Sequence, residues 1–150
     1  MADPLMTVHV LAGTAGLLLG PGWLLARAHG RAARRGAAAY QASVGVVSAS
    51  GGALAVTTPG LLWLLPVAVL TQALALTGAL ARRRAWPRWQ TAQPHLLGGS
   101  YIALVTALLV AETGNWLFWV LPALVGQFPI AVAKERLHGA HPSADRVAPA

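Results

Sequence analysis

The sequence has no cysteine and almost no acid: four Asp and Glu in 150 residues, with charged residues of both signs making only 10% of the chain. Without cysteine, disulfide frameworks, thiolate metal sites, iron–sulfur clusters and thiol nucleophiles are excluded at once. With charge at well under the usual quarter or so of a soluble domain, most water-soluble globular folds are excluded as well. Catalytic signatures are missing in the same way: there is no phosphate-binding loop, no His-Glu-x-x-His, no dinucleotide fingerprint and no pair of carboxylates in an apolar run. Asp3, Glu112, Glu135 and Asp145 all lie at segment ends or in tails, so the chain also lacks the buried carboxylate of a proton-coupled exporter.

What the chain has is apolar length. Hydrophobic residues make up 56% of it and the mean hydropathy is +0.58. A helix needs roughly 20 predominantly apolar residues to cross about 30 Å of hydrocarbon, and five stretches approach that: 5–26, 37–56, 60–81, 95–111 and 116–133. The fold class that follows is an all-α integral membrane protein, a five-transmembrane-helix bundle over residues 1–136, with a flexible cytoplasmic tail at 137–150. The first stretch has no Lys or Arg before it and is too long for a signal-peptide core, so it is expected to persist as a span.

The basic residues fix an orientation. Lys and Arg outnumber Asp and Glu by 11 to 4, for a pI near 11.6 that on its own suggests nucleic acid. Their placement redirects that inference. Arg27, Arg31, Arg34 and Arg35 follow the first span, Arg82, Arg83, Arg84 and Arg88 the third, and Lys134, Arg136 and Arg146 the fifth. In a five-span chain these loops share one side, which by the positive-inside rule is cytoplasmic, with the N-terminus out and the C-terminus in. The expected partners are therefore the bilayer, with anionic lipids at its cytoplasmic face, and a homo- or hetero-oligomer, and not nucleic acid. The expected location is the bacterial plasma membrane. Trp63, Trp116 and Trp119 near the outer helix ends, and Trp23, Trp86 and Trp89 near the inner ones, fit interfacial anchoring.

Inside lipid, helices associate through small residues and interhelical hydrogen bonds. The first span carries His9, Gly13, Gly16 and Gly20 on one face, and the second carries Gln41, Gly45, Ser48 and Gly52; these two faces are expected to meet. The fourth repeats the pattern with His95, Gly99, Ile102 and Thr106. Gly20-Pro21-Gly22 is expected to kink or end the first helix, because proline removes a backbone donor.

Histidine supplies the remaining site candidates. His9 falls roughly 6 Å inside its span, at the same end as Glu112 and Asn115. A His9–Glu112 hydrogen bond there would act as structural glue, as a proton-linked switch or as part of an outward ligand site. His29 and His95 share the inner level and form the one pair compatible with bis-histidine haem or another metal. No cofactor is otherwise indicated.

The order of these residues resembles a family of small predicted multi-pass bacterial membrane proteins known as a domain of unknown function. Its marks are His-x3-Gly and Gly-Pro in the first span (His9, Gly13, Gly20, Pro21), and a basic His-containing loop leading to an aromatic and a Gly-rich second span (His29, Tyr40, Gly52). A His then precedes Ser-Tyr-x-Ala-Leu at the fourth span (His95, Ser100, Tyr101, Ala103, Leu104), and a Trp-x2-Trp-x2-Pro segment follows (Trp116, Trp119, Pro122). The resemblance implies the architecture and carries no activity. The function expected is that of a subunit, assembly factor or scaffold acting through helix contacts, with enzyme activity not indicated. The alternatives are a haem- or metal-binding redox protein and a small-molecule or ion transporter.

Overall fold

The computed structural model describes residues 3–25 and 31–139. They form five α-helices and one 3-10 turn: α1 (Pro4–Leu25), α2 (Arg31–Thr57), α3 (Leu64–Arg83), α4 (Trp89–Thr113), the turn Trp116–Trp119, and α5 (Leu121–Gly139). No strand occurs among the described residues. Four stretches are long and apolar enough to cross a membrane, at Pro4–Pro21, Leu64–Arg83, Thr91–Thr113 and Trp116–Glu135. The second helix falls outside that set because Tyr40, Gln41, Ser43, Ser48 and Ser50 dilute its apolar content.

Successive helices run antiparallel. Along the α1–α2 seam Gly16 lies beside Ser43, Gly13 beside Val47 and His9 beside Gly51. Gln41 and Gly52 of α2 meet Ala75 and Leu65 of α3, Gly78 and Leu74 of α3 meet Leu97 and Gly99 of α4, and Gly98 and Ile102 of α4 meet Ile130 and Gly126 of α5. α1 closes the ring onto α4 through Gly16 against Leu104 and Gly20 against Tyr101. The interior is Tyr40, Val44, Val47, Ala75, Leu97 and Leu104, while α5 leans on the outside of α4.

This alternation gathers charge. Arg31, Arg34, Arg35, Arg82, Arg83, Arg84, Arg88, Lys134 and Arg136 stand at one end of the bundle with Glu135, and Asp3 and Glu112 at the other. Arg27, Arg146 and residues 140–150 lie outside the described residues. At the basic end the α3–α4 connection turns through left-handed backbone at Ala85 (φ 45°) and Arg88 (φ 61°), uncommon for residues with a side chain. The Arg82 guanidinium stands 6.0 Å from the centre of the Trp89 ring there. At the acidic end Trp63 and Trp119 meet edge to face at 5.5 Å, tying the start of α3 to the 3-10 turn. The side chain of Trp23 is not among those described.

Several expected boundaries shift. α2 begins at Arg31 and α4 at Trp89, both ahead of their apolar runs, since Arg and Gln are good helix formers and need no lipid to extend a helix. α3 begins only at Leu64, because Pro59 and left-handed Gly60 (φ 84°) make the preceding turn. The stretch from 116 is broken into a 3-10 turn and a helix at Leu121. α5 then continues to Gly139, so the tail expected from 137 is helical over its first residues. α1 does not end at Gly20-Pro21-Gly22 but passes through it to Leu25.

Glycine packing separates the positions by tolerance. A Cβ on Gly20 would collide with the Tyr101 ring, whereas one on Gly45 would have nothing within 4 Å. Gly20→Leu is therefore expected to destabilise the bundle by about 1–3 kcal/mol, the range for overpacking. Gly45→Ala is expected to be neutral or slightly stabilising, since the helix gains propensity at no steric cost. Unfolding of both variants in mixed micelles by a denaturing detergent measures the difference.

Candidate functional site

The polar groups between the helices converge on the pair Ser100-Tyr101 of α4. Ser100 is fully buried and its Oγ donates to the Leu97 carbonyl at 2.9 Å. Its single proton is thus engaged, and the 2.9 Å contact with Tyr40 Oη is one in which the Tyr40 hydroxyl donates and Ser100 accepts. Tyr40, 2% exposed, reaches across the bundle from α2 to make it.

Tyr101 turns the other way, towards α1. Its hydroxyl donates to the Leu17 carbonyl at 3.2 Å. That carbonyl lies four residues before Pro21, whose missing N–H would otherwise have been its partner. The Tyr101 hydroxyl therefore replaces the hydrogen bond that proline deletes, and Gly20 leaves the space in which the ring lies. This is why α1 passes through Gly20-Pro21-Gly22 without ending. The two motifs, remote in sequence, are the halves of one joint between α1 and α4.

A second polar contact holds the opposite half of the α1–α2 seam. Ser50 Oγ donates to the Val46 carbonyl at 2.7 Å, so it accepts from His9 Nδ1 at 3.0 Å. That places a proton on Nδ1. Gly51 is the residue beneath the ring, its Cβ position 3.0 Å from His9 Cε1. The partner expected for His9 was Glu112; the structure corrects this to Ser50. Glu112 lies exposed at the end of α4, and the Asn115 side chain accepts from the Leu117 backbone N–H at 3.0 Å as the cap of the 3-10 turn. Among the described residues no hydrogen bond or ion pair joins His9 to Glu112 or Asn115.

The expected meeting of two stripes is also corrected. The α1 stripe of Gly13, Gly16 and His9 faces Val47, Ser43, Ser50 and Gly51, not Gln41, Gly45, Ser48 and Gly52. The α2 stripe turns instead to α3, where Gln41 Nε2 donates to the Ala75 carbonyl at 2.9 Å and Gly52 receives Leu65. A helix between two neighbours has two inner faces, and small residues mark both. Gln41 Oε1, Ser48 Oγ and Gln72 Oε1 are buried without a hydrogen-bond partner among the described residues.

Of the candidate haem or metal pair, His29 lies outside the described residues. His95 is exposed, with Nδ1 2.8 Å from the carbonyl of Thr91 in its own helix. No group of three or more His, Cys, Asp or Glu suited to a metal ion occurs among the described residues. Sequence reasoning passed over Ser50 as the partner of His9 and over Tyr101 as the answer to Pro21. The first was open to a register argument, since antiparallel neighbours sharing Gly16 with Ser43 bring residue 9 level with 50. No family model, no curated protein and no solved structure matches the chain.

The joint predicts a double-mutant cycle. Tyr101→Phe is expected to cost about 1 kcal/mol, a typical net value for one interhelical hydrogen bond. In a Pro21→Ala background, where the helix supplies its own N–H to Leu17, the same substitution should cost close to nothing. Detergent-unfolding midpoints for the four proteins give the coupling, and equal costs in both backgrounds would rule out the replacement of one donor by the other.

Proposed function

We propose that this chain is a small multi-pass protein of the bacterial plasma membrane, N-terminus out and C-terminus in, acting through helix contacts as a subunit, assembly factor or scaffold. The observation that carries the reading is the direction in which its chemistry points. Tyr40, Ser50, Ser100, Tyr101 and His9 are engaged with one another or with backbone inside the bundle, and Gln41 binds Ala75. The outward surface is Leu18, Val56, Leu62, Val69, Leu124 and Phe128, each more than 60% exposed. Such a surface is at home in lipid or against other apolar helices. The concentration of Arg at one end supports the orientation and an attraction to anionic headgroups. The resemblance to multi-pass bacterial membrane proteins supports the same architecture, since its Gly-Pro and Ser-Tyr marks form the α1–α4 joint.

The absence of cysteine makes the orientation directly measurable. Glu112→Cys should react with an impermeant maleimide added to intact cells, and Arg83→Cys only after the membrane is opened. The reverse pattern overturns the orientation, and protection of neither site, or release of the protein by alkaline carbonate, overturns the spanning reading. Mass analysis of protein purified in mild detergent should give an assembly larger than one chain. A strict monomer under several conditions would count against a contact-based role.

A further inference from the structure

Of the four membrane-length stretches, the one with the least cover is Trp116–Glu135, which holds most of α5. Its inner side is Pro122, Gly126, Ile130 and Ala133, which are buried or meet α4. The other side presents Leu124 (67% exposed) and Phe128 (77% exposed), and among these apolar residues stands Gln127, exposed and without a hydrogen-bond partner among the described residues. Gln127 lies near the middle of the apolar stretch Trp116–Glu135, roughly 12 Å from one end and 17 Å from the other at helical rise. Its side chain is too short to reach either interface. In hydrocarbon, a carboxamide so placed has two donors and an acceptor with no water to satisfy them, and the remedy is a hydrogen bond to another helix.

We propose that α5 pairs with α5 of a second copy of this chain, along the seam Leu124, Gln127 and Ala131, with the two Gln127 carboxamides exchanging hydrogen bonds across a two-fold axis. Three considerations select a second copy over a different partner. A carboxamide is both donor and acceptor, so two of them satisfy each other reciprocally, which is what an isologous contact requires. Positions 124, 127 and 131 recur at the three- and four-residue spacing of a packed helix seam, and Ala131 is small and exposed, allowing close approach. All copies share one orientation in the membrane, so the two-fold axis runs along the bilayer normal and brings Gln127 level with Gln127. A single polar residue within an apolar seam also sets its register. The pairing rests on the membrane-spanning reading above and names the partner that the contact-based role requires.

The test uses the cysteine-free background and two differently tagged copies expressed together. With Gln127 in place, Leu124→Cys is expected to give a mixed-tag disulfide dimer on oxidation in native membranes. Leu70→Cys on α3, a lipid-facing position 54% exposed, should give none. Adding Gln127→Leu to Leu124→Cys should lower the dimer yield about tenfold, the factor for one to two interhelical hydrogen bonds, with membrane sedimentation and helical content unchanged. A yield that Gln127→Leu does not alter overturns the seam as drawn. No mixed-tag product from Leu124→Cys overturns the pairing. If the thiol instead links to a different protein, pairing fails but the contact-based role stands; if it links to nothing and the purified protein is a monomer, both fail. Loss of membrane sedimentation in the parent protein would remove the spanning reading itself.

Discussion

A backbone carbonyl without a donor is the constraint around which this bundle is arranged. Pro21 takes the natural partner of the Leu17 carbonyl away, and nothing apolar can replace it. The Tyr101 hydroxyl does, from another helix, and its ring occupies the space that Gly20 leaves open. To bring Tyr101 there, α4 must cross α1 at one height and rotation. Its neighbour Ser100 then points to the opposite side, where Tyr40 of α2 meets it. Two adjacent residues thus bind α4 to helices on both sides, and the rotation of α4 in turn sets Gly98 and Ile102 against α5. On the membrane-spanning reading apolar side chains gain nothing from leaving the solvent, and such hydrogen bonds and the close approach at glycine would take the part that a hydrophobic core plays in water.

The second contact, His9 with Ser50, belongs to the same economy of donors and acceptors. Ser50 gives its proton to its own helix and accepts one from the neighbour, as Ser100 does. A serine that back-bonds to a carbonyl in its own helix's preceding turn is an acceptor of fixed direction. Both serines therefore orient the donor opposite them and not the reverse. His9 and Tyr40 are held by a preference built into α2 and α4.

Much of the fold is legible in the sequence for a physical reason. Apolar length and the clustering of Arg act over whole segments, so five helices and the segregation of charge emerge from composition alone, and glycine at helical spacing marks the contact faces of α1. What escapes is whatever depends on rotation between two helices. Nearness to one end points His9 to Glu112; the structure pairs it with Ser50, which lies on the helix next in sequence. The spacing of Gln41, Gly45, Ser48 and Gly52 marks a face without saying for which neighbour; α2 carries two such faces and this one serves α3. Proline misleads in the same way. Pro21 ends a helix only if no donor is found for the carbonyl it strands, and that donor is eighty-four positions away.

The low apolar content of α2 has a consequence for how the chain is made. A segment holding Tyr40, Gln41, Ser43, Ser48 and Ser50 partitions into hydrocarbon poorly by itself. In the finished bundle it lies between α1 and α3, which cover those groups. On the membrane-spanning reading α1 leaves the ribosome first and α2 would enter lipid as the second half of a hairpin, with Ser43 opposite Gly16 and Ser50 opposite His9. Insertion of this helix would then be an act of folding, and damage to the α1 face would be felt during synthesis, as failed integration, before any mature protein existed to unfold.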